Sequence, residues 1–108
     1  MATFFHNVTS ILTKDLLTAG DNVSNLKSIT LANVDTSNDA EVDLFLNKGS
    51  DNFYILKKVS LPLGFTLVLG PEDNIAFNNS LNGFSMRIQV DNGSGAACNV
   101  DVILKRGT

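Results

Sequence analysis

The sequence predicts an all-β protein, an antiparallel β-sandwich of about eight strands. Short runs of alternating apolar and polar residues are separated by turn-forming residues about every 8–12 positions. Apart from residues 7–17, which allow a short helix, no run of about ten residues keeps the apolar period of an α-helix. Asn is abundant, at 13 of 108 residues, and favours turns. The strand count fits a jelly roll or an immunoglobulin-like sandwich, although the Cys–Trp–Cys pattern of immunoglobulin domains is absent.

The first half of the chain predicts three strands. Residues 2–12 alternate imperfectly, which indicates either an edge strand or an assembly arm. Residues 26–34 and 41–47 alternate more regularly. Because Leu44 points inward in the third of these strands, Phe45 is expected to point outward as an exposed aromatic residue.

The longest apolar stretch, residues 53–69, predicts two strands at the centre of the core. Pro62 suits position i+1 of a type I turn between them, and Gly64 suits position i+3. Three further strands are predicted at 74–78, 84–90 and 98–105. The predicted core contains Leu44, Ile55, Phe65, Leu67, Phe84, Met86, Ile88 and Val102. Truncating a buried Phe65 to Ala would cost about 3–5 kcal/mol.

Composition narrows the classes of partner. A chain of this length predicts a single domain over residues 1–108. Eight basic residues against eleven acidic ones give a net charge of −3, which disfavours binding to nucleic acid. The N-terminus lacks the pattern of a signal peptide, and no run approaches the ~20 apolar residues of a membrane span. We therefore expect synthesis in the cytoplasm and no membrane partner.

Reactive side chains are few, so the sequence predicts no enzyme, no cofactor and no metal site. His6 is the only histidine and Cys98 the only cysteine, and neither has an identifiable catalytic partner. Two such residues are too few for a zinc site. Oxygen-bearing side chains within residues 35–41 suit Ca²⁺ chemically, but their spacing does not match the twelve-residue calcium loop.

Over most of its length the chain resembles small β-sandwich virion proteins of tailed bacteriophages, especially the T4-like phages of marine cyanobacteria. The resemblance is carried by residues 17–23, 27–33, 42–46, 54–69 and 100–103. It implies a structural part of a head, neck or tail, located in the virion, and no catalytic residues. We expect a capsid decoration (cement) protein. The alternatives are a neck or tail component, or a module that binds carbohydrate or a host surface, for which one Tyr and no Trp supply a poor stacking platform.

Apolar residues that lie outside the predicted core suggest how such a protein would assemble. Exposed apolar groups are covered at interfaces, so we expect contacts with other copies and with a capsid or other virion protein. The interface candidates are Phe4, Phe5, Ile11, Phe45, Val68 and Ile103. A closed oligomer such as a trimer is expected, because open contacts polymerise.

Overall fold

The computed structural model describes residues 3–20, 26–73, 75–77, 79–80 and 83–106. They form two four-stranded antiparallel sheets, which confirms the predicted β-sandwich. The strands are β1 (Thr3–Val8), β2 (Lys14–Leu17), β3 (Leu26–Asn33), β4 (Ala40–Lys48), β5 (Asp51–Leu61), β6 (Thr66–Leu69), β7 (Ser85–Asp91) and β8 (Val100–Arg106). The helical part of the described residues is one 3₁₀ turn at Pro71–Asp73, which is far too short to cross a membrane.

The strand order defines a jelly roll. The first sheet has the order β1-β8-β3-β6 and the second has the order β2-β7-β4-β5. Of the seven connections between these strands, six pass from one sheet to the other, and the β4–β5 hairpin alone stays within its sheet. Two Greek-key halves interleaved in this way are the jelly-roll arrangement. The topology therefore decides between the two sandwiches that the sequence left open.

The core lies between the sheets, and in β3 and in most of β7 its residues alternate with more exposed ones. In β3, Ile29 and Leu31 are buried while their neighbours are partly exposed, and in β7 Met86, Ile88 and Val90 are fully buried. Of the predicted core, four residues are buried: Leu44, Met86, Ile88 and Val102. Three are partly buried against them: Ile55, Leu67 and Phe84.

The prediction that Phe65 belongs to the core is wrong, because its side chain is 61% exposed. The reason is the turn that precedes β6. Phe65 donates its backbone N–H to the carbonyl of Pro62, at 3.0 Å, so the turn spans residues 62–65. Gly64 then occupies position i+2 with a φ of 79°, as in a type II turn. The predicted type I turn was therefore misplaced by one residue, and Phe65 closes the turn outside the sandwich.

Three other predictions differ from the structure. β5 and β6 lie at edges of different sheets, so residues 53–69 are not the centre of the core. The described part of the predicted strand 74–78 is not a strand, although Ile75 and Phe77 are buried there. Residues 7–17 contain no helix, and the four-residue strand β2 was missed because it is too short to show a period.

Buried asparagine amides hold the loops at the two ends of the sandwich. At the end where β3 stops, the Asn33 side-chain amide donates to the carbonyls of Asn38 (3.0 Å) and Leu61 (2.9 Å). At the opposite end, the Asn79 amide donates to the carbonyls of Thr18 (2.9 Å) and Phe84 (2.8 Å). Both asparagines are buried. Each therefore gives a hydrogen-bond partner to two carbonyls at the end of the sandwich, and one of the two belongs to a segment distant in sequence.

We predict that Phe65→Ala changes the free energy of unfolding by less than about 0.5 kcal/mol, because surface substitutions usually have small effects. The matched change Leu44→Ala should cost about 2–5 kcal/mol, because Leu44 is fully buried between the sheets. Urea unfolding followed by circular dichroism measures both. A large loss for the first variant would contradict the exposed position of its ring.

We also predict that Asn33→Leu destabilises the fold by about 1–3 kcal/mol or more, because the carbonyls that it binds lose their partner. Asn47→Leu is the control, because the Asn47 amide makes its hydrogen bonds within the exposed β4–β5 hairpin, where water can replace them. Equal losses of unfolding free energy in the two variants would show that burial of the Asn33 amide has no special role.

Candidate interaction surface

The outer face of the first sheet carries a line of side chains that crosses all four strands. The strand register places Phe5 opposite Ile103, Ile103 opposite Thr30, and Thr30 opposite Val68. We call these four residues the outer row. Directly opposite residues have Cβ atoms ~4.5–5.5 Å apart, so the four side chains form a continuous strip. Three members are exposed apolar residues: Phe5 at 72%, Val68 at 59% and Ile103 at 37%.

Polar positions flank the outer row on both sides. On one side Lys105 lies opposite Thr3 and Ser28. On the other side Asp101 lies opposite Asn7 and accepts a hydrogen bond of 2.6 Å from its amide. The three rows thus combine an apolar centre with a polar rim that carries one cation and one anion. Protein interfaces have this distribution of apolar and polar groups.

The outer face of the second sheet carries more charged side chains, beside the half-exposed Tyr54. Arg87 of β7 and Asp15 of β2 form a salt bridge of 2.7 Å. Near the start of β4, Glu41 lies opposite Asp91, and Asp43 accepts a hydrogen bond of 2.7 Å from the backbone N–H of Lys58. Because charged groups are hydrated and costly to bury, this face is the poorer candidate for an apolar contact. The two faces of the sandwich therefore differ in what they can bind.

The structure brings three of the six predicted interface candidates together and separates the other three. Phe5, Val68 and Ile103 come together in the outer row. Phe4 points inward and is partly buried against the core, and Ile11 is exposed in the β1–β2 connection, away from the row. Residues 3–8 form the edge strand β1, hydrogen-bonded to β8 along its length.

The prediction that Phe45 is an exposed aromatic residue is wrong, because its side chain is only 5% exposed. It lies opposite Tyr54 on one side and opposite Arg87 on the other. The Tyr54 ring packs on it with 5.0 Å between ring centroids. Alternation along β4 predicts that Phe45 and Leu44 point to opposite faces of the sheet. It does not predict that residues of the neighbouring strands cover the Phe45 ring.

Sequence reasoning missed Thr30, the residue that links Ile103 to Val68. Its threonine side chain gave no signal of its own, and its place is defined by the pairing of β3 with both β8 and β6. It also missed Phe53, whose exposed ring makes an edge-to-face contact with Phe84 at 5.8 Å between centroids. A bulky aromatic residue at the start of a strand was the available signal for Phe53.

The second sheet offers an incomplete platform for stacking a sugar ring. Tyr54 is half-exposed, but the Lys57 ammonium lies 4.2 Å from the centroid of its ring and covers one face. Lys48 lies 5.4 Å from the centroid of Phe84 in a similar way. A sugar would have to displace these cations before it could stack on those faces.

His6 and Cys98 are far from the geometry that catalysis requires. His6 Nε2 donates to the carbonyl of Leu16 at 3.0 Å, which bridges β1 and β2. Burial lowers the pKa of His6, the bond to Leu16 raises it, and the charge of Lys14 lowers it further. Burial raises the pKa of the Cys98 thiol, with a further rise from Asp35. A buried thiol with a raised pKa is a poor nucleophile.

The oxygen-bearing residues of the β3–β4 connection are engaged by the chain itself. Asp35 accepts hydrogen bonds from the backbone N–H groups of Ser37, Asn38 and Asn99, which lowers the pKa of its carboxyl. Asp39 accepts one from the N–H of Leu63 at 2.8 Å. No group of three potential metal ligands occurs in the described part of the chain. These carboxylates thus organise loops.

Comparisons with known proteins support the fold. No protein-family model matches the chain, and no curated protein matches it. Among solved structures it is similar to the Yersinia pseudotuberculosis-derived mitogen, with a TM-score of 0.50, 13% identity, and coverage of 98% of this chain and 85% of the mitogen chain. At this identity the likeness concerns architecture alone.

A second similar structure is the VP2 subviral particle of infectious bursal disease virus. The TM-score is 0.37 and the identity 11%, over 98% of this chain and 32% of the VP2 chain.

We predict that His6 makes stability depend on pH. Its pKa in the folded protein lies below the ordinary value of 6.5, so between these two values the unfolded chain binds more protons. The contribution of His6 to the free energy of unfolding should therefore be fully present above about pH 7. It should fall as the pH drops through 6.5 towards the lowered pKa. Melting temperatures of the native protein and of His6→Gln, measured across this window, test the prediction. Parallel curves for the two proteins would contradict it.

Proposed function

We propose that the chain is a structural protein of a bacteriophage virion, and that it binds to the capsid surface as a decoration protein. The outer row carries this proposal. It presents three exposed apolar side chains in one strip on a regular sheet, and such a surface is typical of protein contacts. The resemblance to phage virion proteins supplies the biological setting.

The fold is compatible with this role. Jelly rolls occur in viral capsid and lectin domains, so the architecture by itself favours neither a shell component nor a sugar-binding module. The chemistry of the outer faces favours the first. The neutral outer row suits a protein surface, whereas cations cover faces of the aromatic rings that a sugar would use.

We infer that the role of the chain is non-catalytic. Catalysis requires a nucleophile, a base and a group that orients them, in mutual contact. In the described residues, His6 is bound to a backbone carbonyl and Cys98 is buried with a raised pKa, so neither supplies the first step of such chemistry. Function would then reside in contacts, with no cofactor.

The outer row also suits a neck or tail component, because any large protein surface can cover an apolar strip. A decoration protein and a neck or tail component differ in their position on the particle. A protein inventory of purified virions, followed by labelling of the chain on intact particles, tests both presence and place. Absence of the chain from virions would overturn the proposal.

We predict that Ile103→Lys reduces binding to particles about tenfold or more, because a charge at the centre of the apolar contact must lose its water. Particles that lack the chain are incubated with purified native or variant protein, and bound protein is quantified. Ser60→Lys is the control, because Ser60 is exposed on β5 of the other sheet. Undiminished binding by Ile103→Lys would exclude the outer row as the contact surface.

A further inference from the structure

In the described part of the chain the two sheets have four edge strands, and three of them are protected against pairing with another strand. β5 has two irregularities of register and carries Lys57 and Lys58. β2 has four residues, one irregularity and two charges. β6 has four residues and is followed by Gly70 and Pro71. Short length, bulges, lysines and proline are the means by which proteins block edge-to-edge association.

β1 has none of these protective features. It pairs with β8 without interruption over all six residues, Thr3 to Val8, and it contains no lysine, carboxylate or proline. Its one titratable group, His6, is bonded inward to the carbonyl of Leu16. The backbone groups of alternate residues of β1 point away from β8, as in any edge strand. This edge is therefore suited to accept a further strand.

We propose that β1 pairs with β1 of a second copy, antiparallel and centred on Phe5. A strand that pairs with its own copy makes an isologous two-fold contact, so the product is a dimer with one continuous eight-stranded sheet. This two-fold dimer differs from the closed trimer that was expected from the sequence. The inference extends the proposed function without depending on it, because dimerisation is a property of the isolated chain.

The register follows from the pleat. Opposite residues share a face, so outward residues Thr3, Phe5 and Asn7 must pair with one another. Two registers satisfy this condition and pair five residues of each strand, one centred on Phe5 and the other on His6. The second places Phe5 opposite Asn7 of the other copy, so that the outer row meets the polar row containing Asp101.

The register centred on Phe5 places the apolar rows of the two copies next to each other, and each positive row next to a negative one. The two Phe5 rings meet at the two-fold axis, and each covers the most exposed apolar group of β1. The outer rows of both copies then join end to end across eight strands. Thr3 meets Asn7 of the second copy, so that the Lys105 row of one copy continues as the Asp101 row of the other, with opposite charges.

The size of the contact indicates how it will be observed. One pair of short strands buries less than the ~1,200 Å² of typical stable interfaces, so we expect a reversible dimer that forms as concentration rises. Deleting the N-terminal segment is a poor test, because removal of β1 would uncover β8 and the buried Val102 and Leu104. Point substitutions leave the sheet intact.

Sedimentation equilibrium of the isolated protein over a concentration series tests the dimer. The native chain should pass from monomer to dimer. Phe5→Lys should weaken dimerisation at least about tenfold, because it places like charges at the axis and adds the lysine that edges normally use. Val68→Lys, at the opposite end of the same row, should dimerise like the native chain. A native chain that stays monomeric, or equal loss in both variants, would overturn the proposal.

Disulfide trapping tests the register. Cys98 is buried, so an introduced cysteine is the available thiol of the folded protein. Phe5→Cys should form a cross-linked dimer under mild oxidation, because opposite Cα atoms lie ~4.5–5.5 Å apart, within disulfide range. Thr3→Cys alone should not, because its two copies are offset by four residues, about 13 Å, along the strands, whereas a mixture of Thr3→Cys and Asn7→Cys chains should cross-link. Failure of Phe5→Cys together with efficient linkage of Thr3→Cys to itself would overturn the proposed pairing.

Discussion

Satisfying the backbone where the chain changes sheets is the constraint on which this jelly roll depends. Because six of its seven connections cross between sheets, many loop groups lie beyond the reach of the strand ladders. Asn33 and Asn79 solve this problem at opposite ends with the same chemistry, one buried amide that binds two carbonyls. The sheets can then close on an apolar core, because these four carbonyls have partners where the strands end.

Between these ends, the two-residue period of the strands gives inward and outward residues different roles. Inward positions build the core, and outward positions are left to set what each face binds. The first sheet presents a neutral strip with a polar rim, while the second presents charges such as the Asp15–Arg87 pair. The edges differ as well, because β1 alone among the four lacks a device against pairing. One face and one edge are therefore the parts of the sandwich best suited to contact another protein.

The sequence was sufficient for properties encoded locally and insufficient for those that depend on neighbours. Alternation within β7 predicted the burial of Met86 and Ile88, because it needs no knowledge of the partner strand. The exposure of Phe65 depends on a turn displaced by one residue, and the cover of Phe45 depends on Tyr54 from another strand. The outer row was foreseen as scattered residues, because its continuity requires the order β1-β8-β3-β6.

The interleaving of inward and outward residues has an evolutionary consequence. On β8, Val102 and Leu104 are buried, while Ile103 between them faces solvent. A lineage can therefore exchange the outward set for one that fits a different neighbour while the inward set preserves the fold. The outward residues can therefore change quickly while the fold stays the same. Such a domain can acquire new partners at little cost in stability, and related domains can share a shape after their sequences have diverged.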